Sequence, residues 1–219
     1  MLKSTAEDSP SRMRIDHVVR VVPDLDKAAA MLLEEFGLDS IPGGRHPAWG
    51  TANRVIPLGD DYLELLTVAD RATAERSDFG RTMLRRVAGG EHWFVVCLAD
   101  DELDATASRL GLEIASGARV TPDGHEVRWR SAGLDDPKRD PSLPFFIEWA
   151  VPPELHPGRA AVAHRTAPAG VARVEVAGDA STLAGWLGGV DLPLRVVEGE
   201  PGVRSVTVAL ADGGELIIP

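Results

Sequence analysis

The run RIDHVVRVV, residues 14–22, is rich in β-branched side chains and stops at Pro23, the pattern of a strand. The next segment, DLDKAAAMLLEEFG, changes period. Leu25, Ala29, Leu32, Leu33 and Phe36 fall at helical spacing, Asp24 stands where an N-cap belongs, and Gly37 where a helix ends. Three further segments, DSIPG, TANRVIPL and YLELLTV, are separated by Gly, Pro and Asp turn residues and are predicted as strands. The unit is β-α-β-β-β.

The same order returns twice, at a spacing of roughly 75 residues. HWFVVCLA reads as a strand, DDELDATASRLG as a helix, and LEIASGARV, HEVRWRSA and PFFIEWAV as three strands. The third pass runs through VARVEVAG, a helix in DASTLAGWLGG, and then PLRVVEG, VRSVTVALA and GELIIP. The predicted organisation is a module over 13–70, a connecting helix over about 77–88 and a second module over 91–151, forming one domain over 13–157. A Pro/Ala linker over 158–169 leads to a third module over 170–219.

Composition narrows the function classes. With 44% hydrophobic residues the chain can bury a substantial core. Acidic residues outnumber basic ones 34 to 23, and no Lys/Arg cluster interleaved with aromatics stands out, so nucleic acid is not the expected partner. The opening MLKSTAEDSPSR carries no apolar stretch, and no run approaches the roughly 18 apolar residues of a membrane span. Residues 1–12 are expected to be a disordered tail, on a cytoplasmic protein with no membrane partner. The single cysteine, Cys97, lies in WFVVCLA and reads as a small buried hydrophobe, with a catalytic thiol as the sharper alternative. G-x-S-x-G, Walker and dinucleotide-binding patterns are absent.

The repeated unit opening with DHVVRVVPDLD, together with RHPAWGTANRVIPLG and YLELL in the first copy and RVTPDGHEVRW and LPFFIEW in the second, carries a resemblance. It resembles the vicinal oxygen chelate superfamily, which includes glyoxalase I and the extradiol dioxygenases, and more narrowly the bacterial glyoxalase-like domain group. The resemblance implies an α+β fold in which two modules pair their curved sheets into a cup that binds a small molecule. It also implies metal ligands on the first and last strands of each module, which fits His17, Glu64 and Glu148. A divalent ion, Zn, Ni, Mn or Fe, held by these three with water would make a metal-dependent lyase, isomerase or dioxygenase, with Glu64 or Glu148 moving a proton.

The fourth ligand position stays open. His92 suggests itself, but aligning DLD with ELD at the helix starts gives Val95, not His92, as the counterpart of His17. An offset of three residues turns His92 to the other sheet face unless a bulge intervenes. A metal-free small-ligand binding or sequestering protein is therefore the alternative, with His17 simply hydrogen-bonded to Glu64 or Glu148.

RHPAWGTANRVIPL gathers His46, Trp49, Asn53 and Arg54. Read as pocket residues, Asn53 offers a donor and an acceptor, Arg54 a planar fork for an anion, Trp49 an apolar wall and His46 an acid or base. Read as a rigid turn, the same stretch leaves Arg54 to pair with a surface acid. Trp129 and Arg119 are further candidates for the cup wall, Asp123 in PDG is a turn residue, and His125, His156 and His164 receive no role. The third copy lacks a strand histidine and is expected either to pack against the first two or to pair with its counterpart in a homodimer.

Overall fold

The computed structural model describes residues 13–134 and 140–219; the tail expected over 1–12 lies outside the described residues. The first module is β1 (Arg14–Val21), α1 (Leu25–Phe36), β2 (Ile41–His46), β3 (Thr51–Pro57) and β4 (Tyr62–Val68). Asp24 caps α1 by accepting from the backbone N–H of Asp26 and Lys27, and Gly37 closes it at φ 70°, a left-handed conformation that glycine adopts without a Cβ penalty. A four-residue helix, α2 (Arg71–Ala74), and α3 (Asp78–Ala88) lead to the second module. That module is β5 (His92–Ala99), α4 (Leu103–Leu110), β6 (Ile114–Val120), β7 (Glu126–Ala132) and β8 (Phe145–Trp149).

The two modules close into one eight-stranded barrel in the order β1-β4-β3-β2-β6-β7-β8-β5. In each, the first strand pairs parallel with the fourth, which pairs antiparallel with the third. The two seams between modules differ. β1 and β5 form a long antiparallel ladder, while β2 and β6 meet at the single pair Arg45–Val120.

Strand alternation sorts the core into two layers. Val19, Val21, Leu66, Phe145, Ile147 and Trp129 face the barrel interior. Val18, Leu63, Leu65, Val96, Leu98 and Phe146 face outward, under the helices. Two bulges break the alternation in the β1–β5 ladder. One lies between Ile15 and His17, so Ile15, which strict alternation puts on the face of His17, joins the outer layer and Asp16 becomes the extra residue. The other inserts Phe94, so Phe94 and Val95 both belong to the interior cluster.

The third module is β9 (Pro168–Ala177), α5 (Ala180–Leu187), β10 (Leu194–Val197), β11 (Gly202–Leu210) and β12 (Glu215–Ile218). Its element order repeats the others but its strand order does not: the sheet runs β10-β9-β11-β12, so the first strand pairs directly with the second. Its apolar residues Val174, Val176, Val206, Val208 and Ile218 share one core with the outer layer of the barrel. Trp186 stacks on Phe146 at 6.1 Å and donates to the Pro144 carbonyl at 2.9 Å. Arg109 reaches from α4 to the carbonyls of Gly185 and Trp186 near the end of α5, groups that a helix leaves without intrahelical partners. The segment read as a linker is a tethered strap. His164 accepts from Asp39 N at 3.0 Å through Nδ1, so its Nε2 donates to the Pro57 carbonyl at 2.7 Å.

Phe146 is fully buried where barrel and third module meet. Phe146→Ala is expected to cost about 3–5 kcal/mol, measured as a shift in the urea unfolding midpoint.

Candidate functional site

The barrel interior holds a cavity of about 40 Å3, against the roughly 10–15 Å3 one water requires by the same measure. Module one lines it mainly with polar groups, His17, His46, Asn53, Tyr62 and Glu64, and module two with Phe94, Trp129, Phe145, Ile147, Trp149 and Arg119.

Behind the lining residue His17 lies Asp16, 0% exposed. One oxygen faces His17 Nδ1 at 2.6 Å, and the other accepts from Trp149 Nε1 at 2.8 Å and meets His156 Nε2 at 3.0 Å. Burial alone would raise this carboxyl's pKa, but the hydrogen bonds from His156 and His17 prevail and hold it well below the usual carboxylate range. An ionised carboxylate only accepts, so His17 Nδ1 carries a proton. Gly158 N donates to His156 Nδ1, which places the His156 proton on Nε2, toward Asp16.

With Nδ1–H committed to Asp16, His17 presents Nε2 to the cavity, 3.6 Å from Glu64 Oε2. The other Glu64 oxygen accepts from Asn53 Nδ2 at 2.6 Å. Tyr62 stacks on the His17 ring at 4.5 Å, and its hydroxyl is pushed well above its usual pKa by burial and then by Asp16 and Glu64. His46 bonds Thr51 Oγ1 at 2.9 Å through Nδ1, and its pKa is pushed down to about 3 by burial and, second, by Arg119. Trp49 packs on Phe79 at 4.7 Å at the cavity wall. Cys97 pairs in register with His17 on the inner face, and burial raises its thiol pKa well above the ordinary value.

Of the residues singled out in the sequence, His17, Glu64, His46, Trp49, Asn53, Arg119 and Trp129 thus meet around one cavity. Three do not. Glu148 lies on the outer face of β8, between the inward Ile147 and Trp149, and accepts from Arg130 Nη1 at 2.8 Å. Arg54 lies on the outer face of β3, where it bonds Ser40 and reaches Asp26 Oδ1 at 3.3 Å. His92 pairs with Val21 at the strand end, its Nδ1 2.8 Å from the Gly90 carbonyl. Sequence reasoning missed Asp16, which only the bulge turns toward His17, and His156, which reaches Asp16 across 140 positions of chain.

A resident divalent metal would have to draw on these donors. His17 Nε2 and Glu64 Oε2 are two ligands, whereas structural and catalytic sites of this kind use three or four protein donors. Asp16, His17 and Cys97 bring possible ligand atoms within 4.8 Å of one another, but Asp16 is already engaged by three nitrogens. The Arg119 guanidinium lines the same cavity and adds a positive charge. The described residues therefore do not fit a three- or four-ligand metal centre.

The glyoxalase-like domain family matches residues 15–190 of the chain. No curated protein matches it. Among solved structures, a hypothetical protein from Staphylococcus aureus is similar in fold over 94% of this chain and 99% of its own, at 14% identity and a TM-score of 0.70. Methylmalonyl-CoA epimerase from Mycobacterium tuberculosis is similar over 67% of this chain and 92% of its own, at 17% identity and a TM-score of 0.45. A Streptomyces coelicolor methylmalonyl-CoA epimerase variant in complex with 2-nitronate-propionyl-CoA is similar over 64% and 93%, at 19% identity and a TM-score of 0.43. No helix among the described residues is long and apolar enough to cross a membrane.

His46 gives a pH test. Between its ordinary 6.5 and the folded value of about 3, the unfolded chain binds a proton that the folded chain excludes, so this group makes stability fall as pH falls. His46→Gln is expected to lose less stability than the parent between pH 7 and pH 5, read from urea midpoints at each pH.

Proposed function

The chain belongs to the glyoxalase-like domain family of the vicinal oxygen chelate superfamily, and on that premise we propose that its barrel binds a small organic molecule and moves a proton on it. The reaction class is isomerisation by proton transfer. The observation that carries this reading is the linked set Asp16–His17–Glu64–Asn53, which ends in a cavity walled by aromatic rings.

The roles follow from the hydrogen bonds. Asp16 holds the His17 proton on Nδ1, which leaves the Nε2 lone pair as the base. When Nε2 takes a proton from the ligand, the imidazolium lies between two carboxylates, Asp16 and Glu64, in a setting of low dielectric where their attraction is strong. Asn53 fixes the Glu64 carboxylate by donating to its other oxygen. The proton can then return to a different atom or face of the ligand, from His17 or through Glu64. The aromatic wall keeps the surroundings of the transferred proton apolar, which strengthens the attraction between the imidazolium and its carboxylates. No step passes through a metal.

The test follows C–H exchange by proton NMR in D2O, with a panel of small carbonyl and hydroxy compounds, for the parent, His17→Ala and Glu64→Gln. General acid–base groups contribute typically 10²–10⁴-fold, so a loss of at least a hundredfold is expected in each variant, with Zn, Ni, Mn and Fe leaving the parental rate unchanged. Exchange that survives in both variants, or that appears only after metal is added, overturns the reading.

A further inference from the structure

Beyond the inner cavity lies a second, larger space of about 670 Å3 toward the other end of the barrel, bounded by β2, β3, β6, β7 and the turns around His156. The two spaces share one wall residue, Arg119. Arg119 is 7% exposed as a residue, and among the described residues it makes no ion pair with a carboxylate. Its Nη1 donates to the Gly43 carbonyl, although a guanidinium carries five N–H donors. A buried cation without a counter-charge is costly, and the chain keeps this one at the junction of the two cavities.

A second polar atom converges on the same point. Asn53 Oδ1 is buried and has no hydrogen-bond partner among the described residues, because Nδ2 is the end that faces Glu64. A Cβ added at Gly43 would run into Asn53 Oδ1 and come within 3.0 Å of Arg119 Nη1, so the glycine keeps open the place where these groups meet. The junction therefore offers a planar cationic fork beside an unused acceptor.

We propose that Arg119 and Asn53 recognise a monocarboxylate that carries an O–H or N–H donor next to its carboxyl group, with an apolar body in the outer space. This rests on the proposed proton transfer and names the ligand class for it. A guanidinium matches one carboxylate in a two-bonded fork. The unused Asn53 oxygen matches the neighbouring donor. The inner cavity takes only a few atoms, so the reacting end of the ligand reaches His17 and Glu64 while its bulk lies in the outer space. There, Ile41, Val55, Val127 and a 60% exposed Leu155 supply apolar contact, and Asp123, Glu126 and Glu154 disfavour a second negative charge.

The experiment titrates the intrinsic tryptophan fluorescence of the full chain with a matched series: 2-hydroxyoctanoate, octanoate, octanamide and octylphosphonate. The 2-hydroxy acid is expected to bind best, and at least tenfold more tightly than the amide. Arg119→Met, which removes the buried charge and keeps the length, is expected to abolish that preference while melting no earlier than the parent. Leu155→Glu, an exposed substitution, keeps the test independent of any effect of Arg119 on folding. It is expected to weaken both eight-carbon carboxylates at least threefold and leave acetate unaffected. An amide that binds as well as the acids, a phosphonate that binds better, no binding by any of the four, or unchanged binding in Arg119→Met overturns the proposal. Its failure is separable from that of the proton transfer. Arg119-dependent binding without His17-dependent exchange removes only the latter, and exchange on ligands that ignore Arg119 removes only the former.

Discussion

A carboxylate with no contact to solvent needs enough donors around it, and much of the site is arranged to supply them to Asp16. They come from places far apart in the chain: the adjacent His17, Trp149 at the end of β8, and His156 in the turns that follow. Satisfying one buried charge thus ties the first strand of module one to the last strand of module two and to the segment that leaves it. The same charge decides where the His17 proton resides, and so which nitrogen looks into the cavity. Packing and chemistry meet at a single residue, which sits where a bulge has given β1 one position more than its partner.

The two barrel modules share a scaffold but divide its contents. Module one contributes most of the hydrogen-bonding groups and module two most of the rings. At the positions in module two that face His17 and its neighbours stand Cys97 and Val95, which bring no charge. The pseudo-twofold relation of the strands therefore does not extend to the donors, and the chemistry is one-sided. The third module departs further. Its first and second strands are direct neighbours, joined by α5, whereas in the barrel modules the first strand lies beside the fourth. It serves as a cover for the outer surface of β1, β5 and β8, not as a third cup wall.

Much of this arrangement could be read from periodicity. The switch from β-branched runs to helical spacing, the capping residues Asp24 and Gly37, and the threefold return of the element order all follow from local rules. In PFFIEW, the apolar residues at 145, 147 and 149 already define one face, and Glu148 falls on the other; a family resemblance drew attention to the glutamate instead of to the alternation around it. Asp16 gave no such signal, because a bulge has no signature in a run as uniform as RIDHVVRVV. His156 depends on a contact between distant segments, which no local pattern encodes. The strand order of the third module was hidden for a related reason: β-α-β-β-β names the elements and is silent about which edges join.

The unequal seams of the barrel have a mechanical consequence. A cylinder held on one side by a long antiparallel ladder, and on the other by the Arg45–Val120 pair and the hydrogen bond from Arg119 to the Gly43 carbonyl, is stiffer along the first line than along the second. Thermal motion will therefore concentrate in a small change of circumference at the β2–β6 joint. Gly43 and Arg119 belong to these two strands and lie on either side of that joint. The guanidinium that bonds across this joint is also the cation on the cavity wall, so a ligand that drew it from the Gly43 carbonyl would leave the seam with its single ladder pair.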